Sequence, residues 1–282
     1  MIYSIDKSLI KALLPKRPEN AHKGTFGSVL IIAGSKNCPG AAILSALACA
    51  RAGAGLVTLV TTSEVYEIAV SKIPFATFLE FSRVAKNLDK YNVVLIGPGL
   101  GQSEEIKKLT NNLLGLEKLK GKKLVLDADC LNILSGDKNW FKKLKMDAIL
   151  TPHPGEMNKL TNLKVEEIQN NRAEVTLKFS RLWNKTIILK GAETIIANPK
   201  GEIFISPFKN PLLATAGTGD VLSGIIAGLL AQGLNYKSAA ITGVFIHGMN
   251  GEKLKEKFGD RGMVATDLIE ILPEVFKDLK SV

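Results

Sequence analysis

The sequence predicts an α/β protein: a mostly parallel central sheet with helices on both faces, in a three-layer α/β/α arrangement. Three observations predict it. Short continuous apolar runs such as Ser28-Val-Leu-Ile-Ile-Ala33, Leu56-Val-Thr-Leu-Val-Thr61 and Asn92-Val-Val-Leu-Ile96 recur along the chain, and such runs mark strands covered on both faces. Helix-patterned segments separate them, so the strands need crossover connections and pair in parallel. The 282 residues are 46% hydrophobic and carry no linker, low-complexity segment or internal repeat, which fits one large core. A single domain is therefore expected over residues 1–282, with residues 1–20 as a lead-in packed on it.

In chain order, Pro15 and Pro18 limit the opening segment to a partial helix and an extended stretch. The strand from Ser28 to Ala33 ends at Gly34-Ser35, and small residues from Gly40 to Ala52 make a helix able to approach its neighbours closely. Strands follow at Leu56 to Thr61, Ala76 to Phe81, Asn92 to Ile96 and Lys123 to Asp127, with a helix from Glu104 to Leu114. Gly97-Pro-Gly-Leu-Gly101 sits at a strand's C-terminal end, where open parallel sheets bind ligands, although a plain turn reads equally well. Asp127 and Asp129 lie at the next strand tip, in position either to orient a metal or to cap the helix through Leu134. The strand Ala148-Ile-Leu150 runs into Thr151-Pro-His-Pro-Gly-Glu156, whose prolines fix a loop projecting His153 and Glu156; Glu156 is placed to hold Mg²⁺ through water. One long amphipathic helix is expected from Val165 to Trp183. Thr186 to Lys190 and Thr194 to Ala197 are strands around a hairpin-like turn suited to a nucleotide, and Ile203 to Ser206 is another strand. Helices then run over Val221 to Ala231, Lys237 to Phe258 and Thr266 to Leu272.

The stretch Asn210-Pro-Leu-Leu-Ala-Thr-Ala-Gly-Thr-Gly-Asp220 is the strongest candidate for chemistry. Gly217 and Gly219 free the backbone for positive φ and close approach, so N–H groups can converge on an anion at a helix N-terminus. Asp220, in the first turn, sits where the helix dipole favours its ionised form, ready to take a hydroxyl proton as phosphoryl arrives. Alone, the same residues also describe an ordinary capped helix start. No Gly-Lys-Ser/Thr follows the glycines, and no Gly-x-Gly-x-x-Gly is present in the loop, which sets aside the Walker and dinucleotide-fold motifs.

Thirty-seven basic against 27 acidic residues give a net charge of +10. The lysines are scattered, as in Lys142-Lys143-Leu-Lys145, without long basic runs or interleaved aromatics, so a solvated surface is expected and no nucleic-acid partner. Cys38, Cys49 and Cys130 have neither zinc spacing nor an even count, and the most apolar run, Val221 to Leu230, is too short to cross a bilayer. The expectation is a cytoplasmic protein with no membrane association.

Taken together, His22-Lys-Gly-Thr-Phe-Gly27, Ile31-Ile-Ala-Gly-Ser35, Gly40-Ala-Ala42, Arg51-Ala-Gly-Ala-Gly-Leu-Val57, Ile96-Gly-Pro-Gly-Leu-Gly101, Leu126-Asp-Ala-Asp129, Leu150-Thr-Pro-His-Pro-Gly-Glu156, Leu189-Lys-Gly-Ala192 and Ala214 to Asp220 resemble the ADP-dependent (S)-NAD(P)H-hydrate dehydratase family of the ribokinase-like superfamily. Each motif is weak alone; their order from His22 to Leu272 is specific. The resemblance implies a ribokinase-like fold and a lyase that repairs hydrated NADH or NADPH with ADP, or ATP, as phosphoryl donor and Mg²⁺ as cofactor. It implies Asp220 as the base, with the backbone at Gly217, Thr218 and Gly219 stabilising the phosphoryl group. Lys190, Gly191, Ala192, Glu193 and Thr194, with Gly219, correspond to the family's nucleotide contacts, and Ala41, Gly101, His153 and Asp220 to its contacts with the hydrated dinucleotide. His153 is read as a polar wall for nicotinamide, because Asp220 already fills the role of base. A homo-oligomer, a tetramer by the same resemblance, and a separate epimerase chain are also implied. The sequence departs from the family at Leu212 and Ala216, where glycine is usual, so the backbone there is expected to be less free. Two competing functions remain at this level: a small-molecule kinase of the same superfamily acting on a vitamin-precursor hydroxymethyl or hydroxyethyl group, and a non-enzymatic nucleotide or nucleic-acid binder.

Overall fold

The computed structural model describes residues 1–280. Its ten strands form one sheet: β1 (Ile2–Ser4), β2 (Ser28–Ile32), β3 (Leu56–Val60), β4 (Thr77–Phe78), β5 (Val93–Ile96), β6 (Lys123–Leu126), β7 (Ala148–Leu150), β8 (Thr186–Leu189), β9 (Ile195–Ala197) and β10 (Ile203–Ile205). Their spatial order is β1-β10-β9-β8-β7-β6-β5-β2-β3-β4. β9 alone runs antiparallel to both neighbours, giving the hairpin the sequence predicts.

Alternation along each buried strand divides the core. Val29, Ile31, Val93 and Leu95 face the helices Pro39–Arg51, Thr218–Ala231, Tyr236–Phe258 and Ala265–Lys280, whereas Leu30, Ile32, Val94 and Ile96 face the layer containing Glu104–Leu114, Ala128–Leu134 and Arg172–Trp183. The small residues of Pro39–Arg51 serve the expected close approach: a Cβ on Gly224 or Gly228 would collide with the Ser45 or Cys49 carbonyl. Nothing larger than glycine lets the Thr218–Ala231 helix sit this deep, and its N-terminus is thereby fixed at the sheet's C-terminal edge.

Several expectations change. The lead-in is woven into the sheet, since β1 pairs with β10 and Ile5 and Ile10 are buried in the core. A helix at Ser63–Lys72 is present that the sequence reading left unassigned. The single helix expected from Val165 to Trp183 is two, Val165–Asn170 and Arg172–Trp183, broken where Asn171 leaves helical geometry at φ −128° and ψ 38°. The last helix continues past Leu272 to Lys280 with Pro273 inside it, because Leu268, Ile269, Leu272, Val275 and Leu279 keep a buried stripe at helical spacing. Among the described residues no helix is long and apolar enough to cross a membrane.

Candidate active site

Chain order reverses direction across the sheet between β2 and β5: β3 and β4 lie to one side, and β6, β7 and β8 to the other. Ligands of such sheets bind at the carboxyl ends of strands near that switch. The loop Gly97–Gly101 occupies the crevice. A Cβ on Gly97 (φ +129°) would overlap the Asp127 carbonyl oxygen, and one on Gly99 would come within 2.7 Å of the Ala41 Cβ. The Gly101 N–H donates to Asp129 Oδ2 at 2.8 Å and the Gln102 amide to Oδ1 at 3.0 Å. Asp129 thus anchors the glycine loop, and Ala41 and Gly101 belong to one crevice.

Toward β8 lies a cavity of about 800 Å³ lined by Asp127, His153, the Lys190 turn, the Lys209–Asp220 loop and His247. Gly217 takes the left-handed conformation at φ +88° and starts a helix at Thr218, three residues before the sequence places it. Gly219 is helical, which corrects its expected positive φ; its missing side chain leaves room for the Lys190 amine, 3.3 Å from where a Cβ would stand. The Thr218 N–H donates to the Thr215 carbonyl at 3.3 Å, whereas the N–H groups of Gly219 and Asp220 lie in the first turn, where a helix has no acceptor of its own and an anion can be bound. Thr218 Oγ1 ties the loop down, donating to the Leu213 and Thr215 carbonyls at 2.8 and 2.9 Å.

Lys190 Nζ is 2.9 Å from Asp127 Oδ1 and 3.8 Å from Glu156 Oε2. Burial disfavours its charge, but Asp127 and Glu156 outweigh that and hold the ammonium above the ordinary lysine range. The same crowding acts on the carboxylates in reverse. Burial, and then the charge of Asp127, push Asp220 up to about 7 against the pull of Lys190. This corrects the expectation that the helix dipole keeps Asp220 ionised: desolvation is the larger effect. Burial likewise raises Glu156 to about 7.

Glu156 is also the third residue of the Pro154–Thr161 helix, its Oε2 accepting the His153 N–H at 2.8 Å. His153 Nδ1 accepts from the Gly155 and Glu156 amides, so the hydrogen is on Nε2, 3.3 Å from Glu156 Oε1. With its pKa lowered by burial and by Lys190, His153 is a neutral polar wall of the cavity. Asp127 caps the Ala128–Leu134 helix and pairs with Lys190.

Two residues the sequence reading missed, His247 and Arg172, help complete the site. His247, buried in the Tyr236–Phe258 helix and pushed down to about 4 by burial, donates from Nε2 to the Thr218 carbonyl at 2.9 Å. A histidine inside an otherwise apolar helical stretch is the signal that could have found it. Arg172 opens the second half of the broken helix and donates to the Leu189, Lys190 and Glu193 carbonyls, stapling the Lys190–Thr194 turn; a Cβ on Gly191 would come within 2.7 Å of its guanidinium. Glu193 pairs across the cavity mouth with Lys209 at 3.1 Å, and Thr194 Oγ1 donates to the Gly191 carbonyl. Asn210 Oδ1 accepts the Leu212 N–H at 2.9 Å, which fixes the amide's orientation and leaves a buried Nδ2 with no acceptor among the described residues. Leu212 and Ala216 both have negative φ, so losing glycine there costs the loop nothing.

A helix N-terminus opened by Gly217, the half-buried Asp220 and the turn after β8 thus stand together on one edge of a ribokinase-like fold. The sequence profile of the NAD(P)H-hydrate dehydratases matches residues 29–274, and the chain belongs to that family. The ADP-dependent (S)-NAD(P)H-hydrate dehydratase of Bacillus subtilis strain 168 is 35% identical over 275 residues, covering 95% of each chain. A crystal structure of the ADP/ATP-dependent NAD(P)H-hydrate dehydratase from Bacillus subtilis, co-crystallised with ATP/Mg²⁺, superposes with a TM-score of 0.87 at 34% identity over 98% of both chains. The bifunctional NAD(P)H-hydrate repair enzyme Nnr of Moorella thermoacetica is 38% identical over 96% of this chain but 53% of its own length; the chain spans about half of such relatives. A hydroxyethylthiazole kinase from Pyrococcus horikoshii, 15% identical with a TM-score of 0.63, shares the fold alone.

Proposed function

We propose that the protein dehydrates the S form of hydrated NADH and NADPH, using ADP and releasing NAD(P)H, AMP and phosphate. The observation that carries this reading is Asp220: a carboxyl in the first turn of the anion-binding helix, held near neutrality at about 7 beside the Lys190 ammonium. A group so poised can take a proton at physiological pH and remain a useful acid afterwards.

Hydroxide is a poor leaving group, so the substrate hydroxyl is phosphorylated first. Asp220 takes its proton as the oxygen bonds to the β-phosphorus of ADP and the bridging bond breaks to release AMP. The Gly217–Gly219 backbone N–H groups hold the transferring oxygens. The ring nitrogen's lone pair then expels phosphate, and the neighbouring carbon loses a proton to restore the double bond. Lys190 to Thr194, stapled by Arg172, receive the adenylate, while His153, Ala41 and Gly101 face the dinucleotide.

Asp127, Glu156 and Asp220 offer hard oxygen donors around one cavity, yet among the described residues no group of three His, Cys, Asp or Glu is placed to hold a metal directly. That donor set would suit a Mg²⁺ held through water, with Glu156 and Asp127 as the residues that would hold it. When bound, the ion neutralises phosphoryl charge. The same proposal includes a homo-oligomeric, cytoplasmic enzyme.

The test is incubation with hydrated NADH and either ADP or ATP while dihydronicotinamide absorbance is followed. Recovery dependent on nucleotide is expected; a stable phosphate ester with no recovered absorbance is the outcome of a kinase instead.

A further inference from the structure

The proposed reaction brings two nucleotides to one edge of the sheet, and the cavity beside β6, β7 and β8 is bounded on its outer side by the Lys190 turn that receives one of them. A second cleft, of about 500 Å³, opens on the same edge at the ends of β3 and β4. Tyr66 and Phe78 form one wall, their rings edge to face with centroids 4.9 Å apart. Arg83 stands at its rim, and its guanidinium makes no hydrogen bond or ion pair among the described residues. Glu80 shares the rim, with Ser82 donating to its carboxylate at 3.3 Å. Thr61 Oγ1, on the inner wall, is buried without a partner.

Close packing at a buried glycine is all that stands between the cleft and the switch-point crevice. Gly34 lies between them: a Cβ there would come within 3.0 Å of Thr61 Oγ1 and 2.8 Å of the Ala42 Cβ, and the Gly34 N–H donates to the Pro98 carbonyl at 2.8 Å. Gly101, in the same loop as Pro98, is held by Asp129 beside the cavity-lining Ala128. Strands spaced about 4.8 Å apart put the ends of β3 and β4 roughly 14–19 Å from the end of β6. A dinucleotide with its nicotinamide at Asp220 would meet the proposed ADP site toward β8, and the β3/β4 cleft lies on the opposite side at a distance its other half can span.

We propose that the β3/β4 cleft binds the adenosine end of the hydrated dinucleotide, with adenine against Tyr66 and Phe78 and the 2′-phosphate of the NADPH form on Arg83; this rests on the dehydratase reading above. The Tyr66 ring offers an aromatic face to a purine, a free guanidinium suits a phosphate, and Glu80 can accept the ribose hydroxyl that stands there in the NADH form. One cleft thereby accommodates both forms.

The experiment is steady-state kinetics with ADP and three substrates: hydrated NADPH, hydrated NADH, and the hydrate of reduced nicotinamide mononucleotide, which lacks the adenosine half. Tyr66→Ala is expected to raise KM for both dinucleotides about tenfold, as loss of a stacking contact does, with kcat and the KM for ADP unchanged. Arg83→Ala is expected to raise KM about tenfold for hydrated NADPH, as loss of a charge-assisted phosphate contact does, and to leave hydrated NADH nearly unaffected. Neither variant changes any constant for the mononucleotide. Both side chains are exposed, and melting temperatures verify that the fold persists. An equal change with the mononucleotide, or none with either dinucleotide, overturns the proposal and leaves the dehydratase reading intact. A wild-type protein inert toward all three hydrates overturns that reading and the proposal with it.

Discussion

The switch-point crevice and the Lys190 cluster stand side by side on the same sheet edge and are built by opposite means. At the crevice, side chains are absent where backbones must meet: Gly97 lies against the Asp127 carbonyl and Gly99 against Ala41. At the cluster, Asp127, Glu156 and Asp220 crowd one largely buried ammonium. Steric exclusion governs the first and desolvation the second. Shape can therefore be specified by a local run of glycines, whereas reactivity here is a joint property of residues from four separate segments.

Asp220→Asn separates the two most sharply. It keeps size and leaves the crevice intact, yet removes the proton acceptor, so turnover of hydrated NADH is expected to fall about a hundredfold to ten-thousandfold. Affinity for ADP, measured by calorimetry, is expected to change much less. Stability moves the other way. The folded-state pKa of Asp220 is raised to about 7 from 3.8, so its contribution is fully present below the unfolded value and is lost as pH rises through 7. The variant escapes that loss, and its melting temperature should exceed the wild type's more at pH 8 than at pH 5.

Lys190→Met tests whether one cation holds the cluster. Removing one partner of a buried ion pair typically costs about 3–5 kcal/mol, and the lower end is expected because the side chain is 19% exposed. Since Lys190 lowers the Asp220 pKa, its loss should also move the ascending limb of the pH–rate profile to higher pH. An unmoved profile would place Lys190 outside the electrostatics of the base.

On the crevice side, Gly97→Ala confronts both positive φ and the Asp127 carbonyl, whereas Gly121→Ala meets positive φ with nothing within 4 Å. Backbone strain alone costs about 1–3 kcal/mol. Gly97→Ala should exceed Gly121→Ala in denaturant-midpoint loss and alone should reduce turnover, because it displaces Asp127. Equal losses would mean that sterics at the crevice do not reach the cluster.

The same division explains what was legible in the sequence. The strands of both core faces, the Gly97 loop and the Gly217 turn announce themselves through local patterns, and Asp220 follows from its place in one of them. The break at Asn171 was invisible because amphipathic periodicity continues across it, although that break delivers Arg172 to the Lys190–Thr194 turn. His247 and the pairing of Lys190 with Asp127 lie 29 and 63 residues from their partners in sequence, and only folding brings them together. The Asp220 pKa was misjudged for the same reason: a helix dipole is readable from the sequence, while burial is not.

Asn210 carries the smallest expected effect and joins the two modes of construction. Its Oδ1 shapes the loop by accepting the Leu212 N–H, while its Nδ2 is a buried donor with no acceptor among the described residues. A buried, unpartnered donor is unfavourable unless a ligand completes it, and this one lines the cavity between the Lys190 turn and the anion pocket. Serine at this position preserves a short side-chain acceptor for the turn and deletes the amide. Asn210→Ser should therefore leave the melting temperature within a few degrees of wild type and weaken ADP binding by about 0.5–1.5 kcal/mol, the net value of one hydrogen bond. Calorimetry with ADP reads that loss, and KM for the hydrated dinucleotide reads the alternative. If KM rises while ADP affinity holds, the amide faces the dinucleotide; if neither moves, the turn is its whole purpose.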